Sequence, residues 1–92
     1  MAPIWESSSF RHDIDKHDQI YAMLNATYTA SVPEEARNGG VVRLFIGPEH
    51  AQTEREVEIL VEEFSDGREA RIFHAMHLGS KFRSYREENP DG

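Results

Sequence analysis

Residues 56–76 read EVEILVEEFSDGREARIFHAM, and their pattern decides the fold. Two runs rich in Val, Ile, Leu and Phe, Glu56–Phe64 and Glu69–Met76, flank Ser65-Asp66-Gly67-Arg68. An Asp-Gly pair between such runs predicts an antiparallel hairpin with a two-residue type I′ turn. In that register Val61 faces Ile72, Ile59 faces His74 and Val57 faces Met76, which gives one apolar face. On the other face Glu62 meets Arg71 and Leu60 meets Phe73. Such cross-strand matches contribute roughly 0.2–1 kcal/mol each. The glutamates around 54–63 then read as a solvated strand face, and their charge as protection of a sheet edge.

Working outward, Val41-Val42-Arg43-Leu44-Phe45-Ile46 is apolar on both faces, as expected of a central strand, with Gly47-Pro48 ending it. Before it, Tyr28 to Val32 alternates with a period of two as far as Pro33. Glu34 to Gly40 is a loop, and Asn38-Gly39-Gly40 supplies the turn back. Lys16 to Ala26 carries Ile20, Met23, Leu24 and Thr27 at helical spacing, with Asp15 as N-cap and Asn25 near the end. Residues 3–6 suit a short edge strand and Ser7–Asp13 a connecting turn. Ser80 can cap a short helix over Lys81–Arg86, with Phe82 and Tyr85 on one side. Residues 89–92 read as a frayed tail. The expectation is one α+β domain over residues 1–92, with an N-terminal helix, a four-stranded antiparallel meander and a short C-terminal helix.

Composition narrows the function classes. Ninety-two residues with 38% hydrophobic and 29% charged side chains suit a folded domain with one small core. Cysteine is absent, which excludes disulfides and thiolate metal sites. No apolar run approaches the roughly 18 residues that span a bilayer, and no signal-peptide pattern opens the chain. A cytoplasmic protein without membrane contact is the expectation. The net charge of −7 opposes bulk attraction to polyanions, yet it is segregated. Arg71 to Arg86 holds four basic residues (Arg71, Lys81, Arg83, Arg86), two histidines and no acid, whereas Glu49–Glu63 holds six glutamates against Arg55 alone.

Arginines and a lysine interleaved with Phe82 and Tyr85 suit phosphate binding with base stacking. They equally suit pairing with Glu56, Glu58 and Glu62 on the neighbouring strand. His74 and His77 have the chemistry of general acids or bases, but they point to opposite sides of a strand. The group His12, Asp13, Asp15, His17 and Asp18 matches no zinc or EF-hand spacing, and helix capping accounts for its acids. Phosphate-binding loops, dinucleotide fingerprints and nucleophile elbows are absent from the sequence, and no metal or cofactor is expected.

Three strings carry a family resemblance. Arg11-His12-Asp13-Ile14 ahead of a helix, Phe45-Ile46-Gly47 in the middle strand, and Arg71-Ile72-Phe73-His74-Ala75 followed by Lys81-Phe82-x-x-Tyr85 resemble the BrnT-like and RelE-like toxins of bacterial toxin–antitoxin pairs. The resemblance implies a metal-independent ribonuclease neutralised by an antitoxin protein, with RNA as substrate. It points to Arg71 and Arg83 for phosphate, His74 or Lys81 for proton transfer, and Tyr85 for stacking or acid chemistry. His12, Arg43 and Arg86 would support substrate binding. The chain departs from such toxins in its acidity and in Asp13, where their turn commonly has Gly. A non-catalytic interaction module on the same fold therefore stays open. The enzyme expects Arg71, Arg83 and Tyr85 on one concave surface; the module expects those cations tied up by Glu58 and Glu62. Oligomeric state is not legible in the sequence.

Overall fold

A computed structural model describes residues 2–92 and shows an α+β architecture. In chain order the elements are β1 (Ile4–Trp5), a 3₁₀ turn (Ser7–Phe10), α1 (Lys16–Leu24) and β2 (Tyr28–Ser31). A second 3₁₀ turn (Pro33–Glu35), β3 (Val41–Pro48), β4 (Glu56–Glu63), β5 (Arg71–His77) and α2 (Ser80–Glu88) follow. The sheet has five strands in the order β1-β5-β4-β3-β2. β2 to β5 form the expected antiparallel meander, and β1 is the short edge strand expected within residues 3–6. By joining the same sheet ahead of the first helix, β1 makes that sheet five-stranded and mixed rather than four-stranded and antiparallel. β1 adds parallel to β5 through Ile4 N–H to the Ala70 carbonyl (2.8 Å) and Glu6 N–H to the Ile72 carbonyl (2.9 Å).

Helices cover both faces. On one, Ala22 and Met23 of α1 pack with Ile14, Val57, Ile59, Val61, Ile72 and Ala75. On the other, Phe82 of α2 packs with Val42, Leu44, Ile46, Leu60 and Phe73. Burying a side chain such as Phe82 contributes roughly 1.5–3 kcal/mol, enough to seat a two-turn helix that would not form alone. α1 packs so closely that a Cβ on Gly47 would drive into the Ala22 carbonyl. Gly47-Pro48 ends β3 as expected, with both residues still paired, to Val57 and Glu56.

α1 is rotated from its expected orientation. Its fully buried residues are Gln19 and Ala22, while Leu24 is 81% exposed. Gln19 turns inward because every polar atom of its amide is used. It accepts from Trp5 Nε1 (3.1 Å) and donates to the carbonyls of Ser9 (3.0 Å) and Ile14 (2.9 Å). A hydrophobic stripe cannot reveal a polar side chain whose partners come from distant chain segments.

The 56–76 hairpin is correct at its tip-proximal pairs, Val61–Ile72 and Glu62–Arg71, and then slips by one residue. Leu60 pairs with His74, Ile59 with Ala75 and Val57 with His77, so the expected pairs Leu60–Phe73, Ile59–His74 and Val57–Met76 do not form. The cause is a β-bulge that places Phe73 and His74 together opposite Leu60. The tip is no two-residue turn either. Residues 64–70 form a longer loop in which Gly67 has φ +93° and the Asp66 carboxylate accepts the Arg68 N–H (3.1 Å).

The glutamate-rich strand is not a solvated edge. β4 is the central strand, and Glu58 and Glu62 are 3% and 0% exposed. Nor is the C-terminus frayed. Tyr28 Oη donates to the Asn89 carbonyl (2.6 Å), and Gly92 closes onto the Thr29 carbonyl of edge strand β2. Gly79, not Ser80, is the N-cap of α2. No helix is long and apolar enough to cross a membrane among the described residues.

Candidate functional site

The bulge in β5 sets the site. Two consecutive residues, Phe73 and His74, face the α2 side of the sheet, which brings His74 onto the face that carries Glu58. His74 Nε2 lies 2.7 Å from Glu58 Oε2, and Glu58 Oε1 accepts the Gly79 N–H at 2.8 Å. One carboxylate thus ties an imidazole on β5 to the entry of α2. With Oε1 occupied by a backbone donor, Oε2 is the oxygen that faces the imidazole, and an Nε2–H donated to it would leave Nδ1 as the free ring nitrogen.

The opposite wall comes from the segment between β1 and α1. Ser8 Oγ donates to the Phe73 carbonyl (2.6 Å), and Gln19 grips the Ser9 and Ile14 carbonyls from behind. Asp13, at φ +62°, reverses the chain directly after His12. Asp and Asn are the side chains that best tolerate this left-handed geometry after Gly. His12 is thereby held with its ring centroid 5.9 Å from that of His74, the planes at 74°.

A cleft of about 590 Å³ opens between these walls, lined by Arg11, His12, Arg37, Glu58, His74 and Lys81 over an apolar floor of Leu60 and Phe73. Arg37 lies over the Phe73 ring at 5.1 Å, and Lys81 Nζ over the Phe82 ring at 5.2 Å. Lys81 Nζ also donates to Glu35 Oε2 at 2.6 Å. That hydrogen bond, outweighing partial burial, raises the Lys81 pKa, so the ammonium stays charged at neutral pH. A fixed cation of this kind binds anions; it does not abstract protons.

Of the residues singled out in the sequence, His12, His74 and Lys81 meet in the cleft. Arg71, Arg83, Tyr85, Arg43 and Arg86 do not line it. Arg71 donates to Glu6 (2.7 Å), Arg86 grips Glu56 with both terminal nitrogens (2.7 and 3.1 Å), and Arg43 lies 3.6 Å from Glu63. Tyr85 Oη donates to the Ser31 carbonyl (3.2 Å), and Arg83 is exposed on α2. Arg71, Arg43 and Arg86 are thus held by Glu6, Glu63 and Glu56, of which only Glu56 is among the strand partners named from the sequence, and the guanidinium of none of them is held by Glu58 or Glu62.

Arg11, Arg37 and Glu58 join the site without having been anticipated. Arg11 adjoins His12 in the Arg-His-Asp string, a signal that was available. Arg37 sits in a loop whose course depends on Glu62, and Glu58 looks like any outward residue of an alternating strand. His77, on the far face, pairs with Glu49 (3.1 Å).

The fold and cleft define a small α+β protein with an open site in which two imidazoles and the buried Glu58 carboxylate sit among Arg11, Arg37, Lys81 and Glu35. No protein-family model, curated protein or solved structure matches the chain.

Proposed function

We propose that the protein is a toxin-like endoribonuclease that cleaves single-stranded RNA by acid–base catalysis. The observation that carries this reading is the His12–His74 pair, with His74 held by buried Glu58, in a cleft lined by Arg11, Arg37 and Lys81. Two imidazoles on one cleft suit a reaction in which one group removes a proton while another delivers one. His74 Nδ1 takes the proton of the ribose 2′-hydroxyl as O2′ attacks phosphorus. The P–O5′ bond breaks, and protonated His12 supplies the proton to the departing O5′, leaving a 2′,3′-cyclic phosphate and a 5′-hydroxyl. Arg11, Arg37 and Lys81 offset the charge that gathers on the phosphoryl oxygens. The resemblance to BrnT-like and RelE-like toxins supports this reading through the Arg11–Ile14 string, His74 and Lys81, and adds an antitoxin protein as partner. Arg71, Arg83 and Tyr85, which the resemblance also assigns to catalysis, lie outside the cleft and take no part in this mechanism.

The test is cleavage of a mixed-sequence RNA by purified protein, with induced expression and growth arrest as the cellular readout. His74→Ala and His12→Ala are each expected to lower cleavage by about 10²-fold or more. Cleavage that survives both substitutions would sink this assignment.

A second reading rests on a different observation. Arg43, Arg71, Lys81 and Arg86 each face a glutamate: Glu63, Glu6, Glu35 and Glu56. Charge neutralised in this way suits a non-catalytic module that binds a protein partner. It expects growth effects, if present, to be indifferent to His74→Ala.

A further inference from the structure

Beyond Arg37 a second basin continues the cleft. It measures about 650 Å³ and is lined in part by Arg37, Asn38, Phe64, Arg68 and Arg71. Arg37 lines both cavities. β5 connects them, because Arg71 shares the sheet face of Phe73 and His74. At about 3.3 Å per residue, Arg71 and His74 lie roughly 10 Å apart along the strand. A strand of nucleic acid seated on His74 would therefore pass Arg37 and enter the second basin.

The basin is not simply electropositive. Glu6 and Glu69 also line it, and Arg71 already donates to Glu6 at 2.7 Å. Its distinctive feature is a guanidinium seated over an aromatic ring. The Arg68 guanidinium lies 4.0 Å over the Phe64 ring. Its Nε reaches both oxygens of Asp66 (3.1 and 2.8 Å), and Nη1 donates to the Asn38 carbonyl at 3.3 Å. These bonds fix the plane of a side chain that still keeps 51% of its surface in solvent. A guanidinium whose plane is held in advance loses less freedom on stacking, and both aromatic rings and arginine planes serve as platforms for unpaired bases.

We infer that the Phe64–Arg68 stack is a nucleobase subsite, taking the base of a nucleotide next to the phosphate cleaved between His12 and His74, with Arg37 on the intervening backbone. The subsite rests on the ribonuclease reading for its place along the substrate, but its recognition is by base stacking and not by charge.

The experiment uses the full chain and two fluorescent hexanucleotides in fluorescence anisotropy. One is an oligodeoxynucleotide of mixed sequence; the other has the same backbone with every base replaced by an abasic residue. Neither has the 2′-hydroxyl, so binding is read without cleavage. Wild type binds the base-bearing hexamer more tightly. Arg68→Ala and Arg68→Lys each weaken that complex about fivefold or more, within the range for one base stacked on one platform. Both leave the abasic hexamer unchanged. Arg68→Lys keeps the charge and loses the plane, so full retention by this variant overturns the subsite. Equal loss on both hexamers, no loss on either, or no binding by wild type also overturns it. Tighter binding of a hexaglutamate peptide than of the hexanucleotide does the same, in favour of a protein ligand. Base-dependent binding that needs Arg68 in a protein that cleaves no RNA keeps the subsite and removes the nuclease. Cleavage indifferent to Arg68, with the hexamer bound normally, does the reverse.

Discussion

Glu58 and Glu62 lie four residues apart on the central strand, point to the same face and are both buried, yet their surroundings differ in kind. The Glu62 carboxylate is saturated by its own neighbourhood. It accepts the backbone N–H groups of Arg37 (3.3 Å), Asn38 (2.9 Å) and Gly40 (2.8 Å), plus the Asn38 side-chain amide (3.3 Å). Glu58 takes a single backbone N–H and spends its other oxygen on His74, at the edge of an open cleft. A buried carboxylate surrounded by backbone donors holds a loop in place, whereas one bonded to an imidazole beside a cavity orients a group that can react. Burial and charge alone do not separate the two; the partners do.

The largest expected effect breaks the comparison from the side of stability. Glu62→Ala leaves three backbone donors and an amide without their acceptor, and is expected to cost about 3 kcal/mol or more. Glu58→Gln keeps an acceptor for Gly79 and is expected to cost about 1 kcal/mol. Urea denaturation of both variants decides the matter, and equal losses would erase the distinction.

Catalysis should reverse that ranking. Under the ribonuclease proposal, Glu58→Gln lowers kcat for RNA cleavage about tenfold or more with little change in KM, because the orientation of His74 matters in the transition state. Glu62→Gln, measured per folded molecule, leaves kcat near wild type. A Glu58→Gln enzyme with full activity would reduce Glu58 to a helix tether.

Acid sharpens the contrast further. Burial pushes the Glu62 pKa up, but the donors from Asn38, Gly40 and Arg37 together outweigh it, and the native value lies below the ordinary 4.5. A lowered native value means that the carboxylate's stabilising contribution is complete above the ordinary value and is lost as pH falls through the native one. The stability gap between wild type and Glu62→Gln should therefore narrow on acidification below pH 4.5, as followed by denaturation at a series of pH values. A gap that widens would contradict the bonding described for Glu62.

The smallest effect concerns the imidazole opposite Glu58's partner. At Asp13, with φ +62°, Asp13→Ala is expected to cost about 1 kcal/mol, whereas Asp13→Gly should match or slightly exceed wild type in thermal melts. If Ala is tolerated as well as Gly, the backbone at His12 is not held as described.

Much of the architecture was readable because it is local. Asp15 caps α1 through its carboxylate and the Asp18 N–H (2.9 Å), as the spacing announces, and the pairs Val61–Ile72 and Glu62–Arg71 follow from matched side chains near a turn. The site was readable only in fragments. His12, His74 and Lys81 stand out as chemical types, but alternation alone puts His74 on the apolar face, because a bulge at Phe73 leaves no mark in an alternating pattern. The same limit hid Gln19, which is drawn inward by Trp5, Ser9 and Ile14.

From the sequence alone came the α+β class, the antiparallel meander and the concentration of basic side chains near its end, since periodicity, turn residues and charge are properties of neighbours along the chain. Tertiary structure alone decided that the acidic strand lies at the centre, that Glu58 meets His74, and that most of the basic segment is spent on glutamates from elsewhere. Those outcomes depend on donors and acceptors brought together across 16 to 65 residues of chain, and hydrogen bonds of such reach exist only after the backbone has closed.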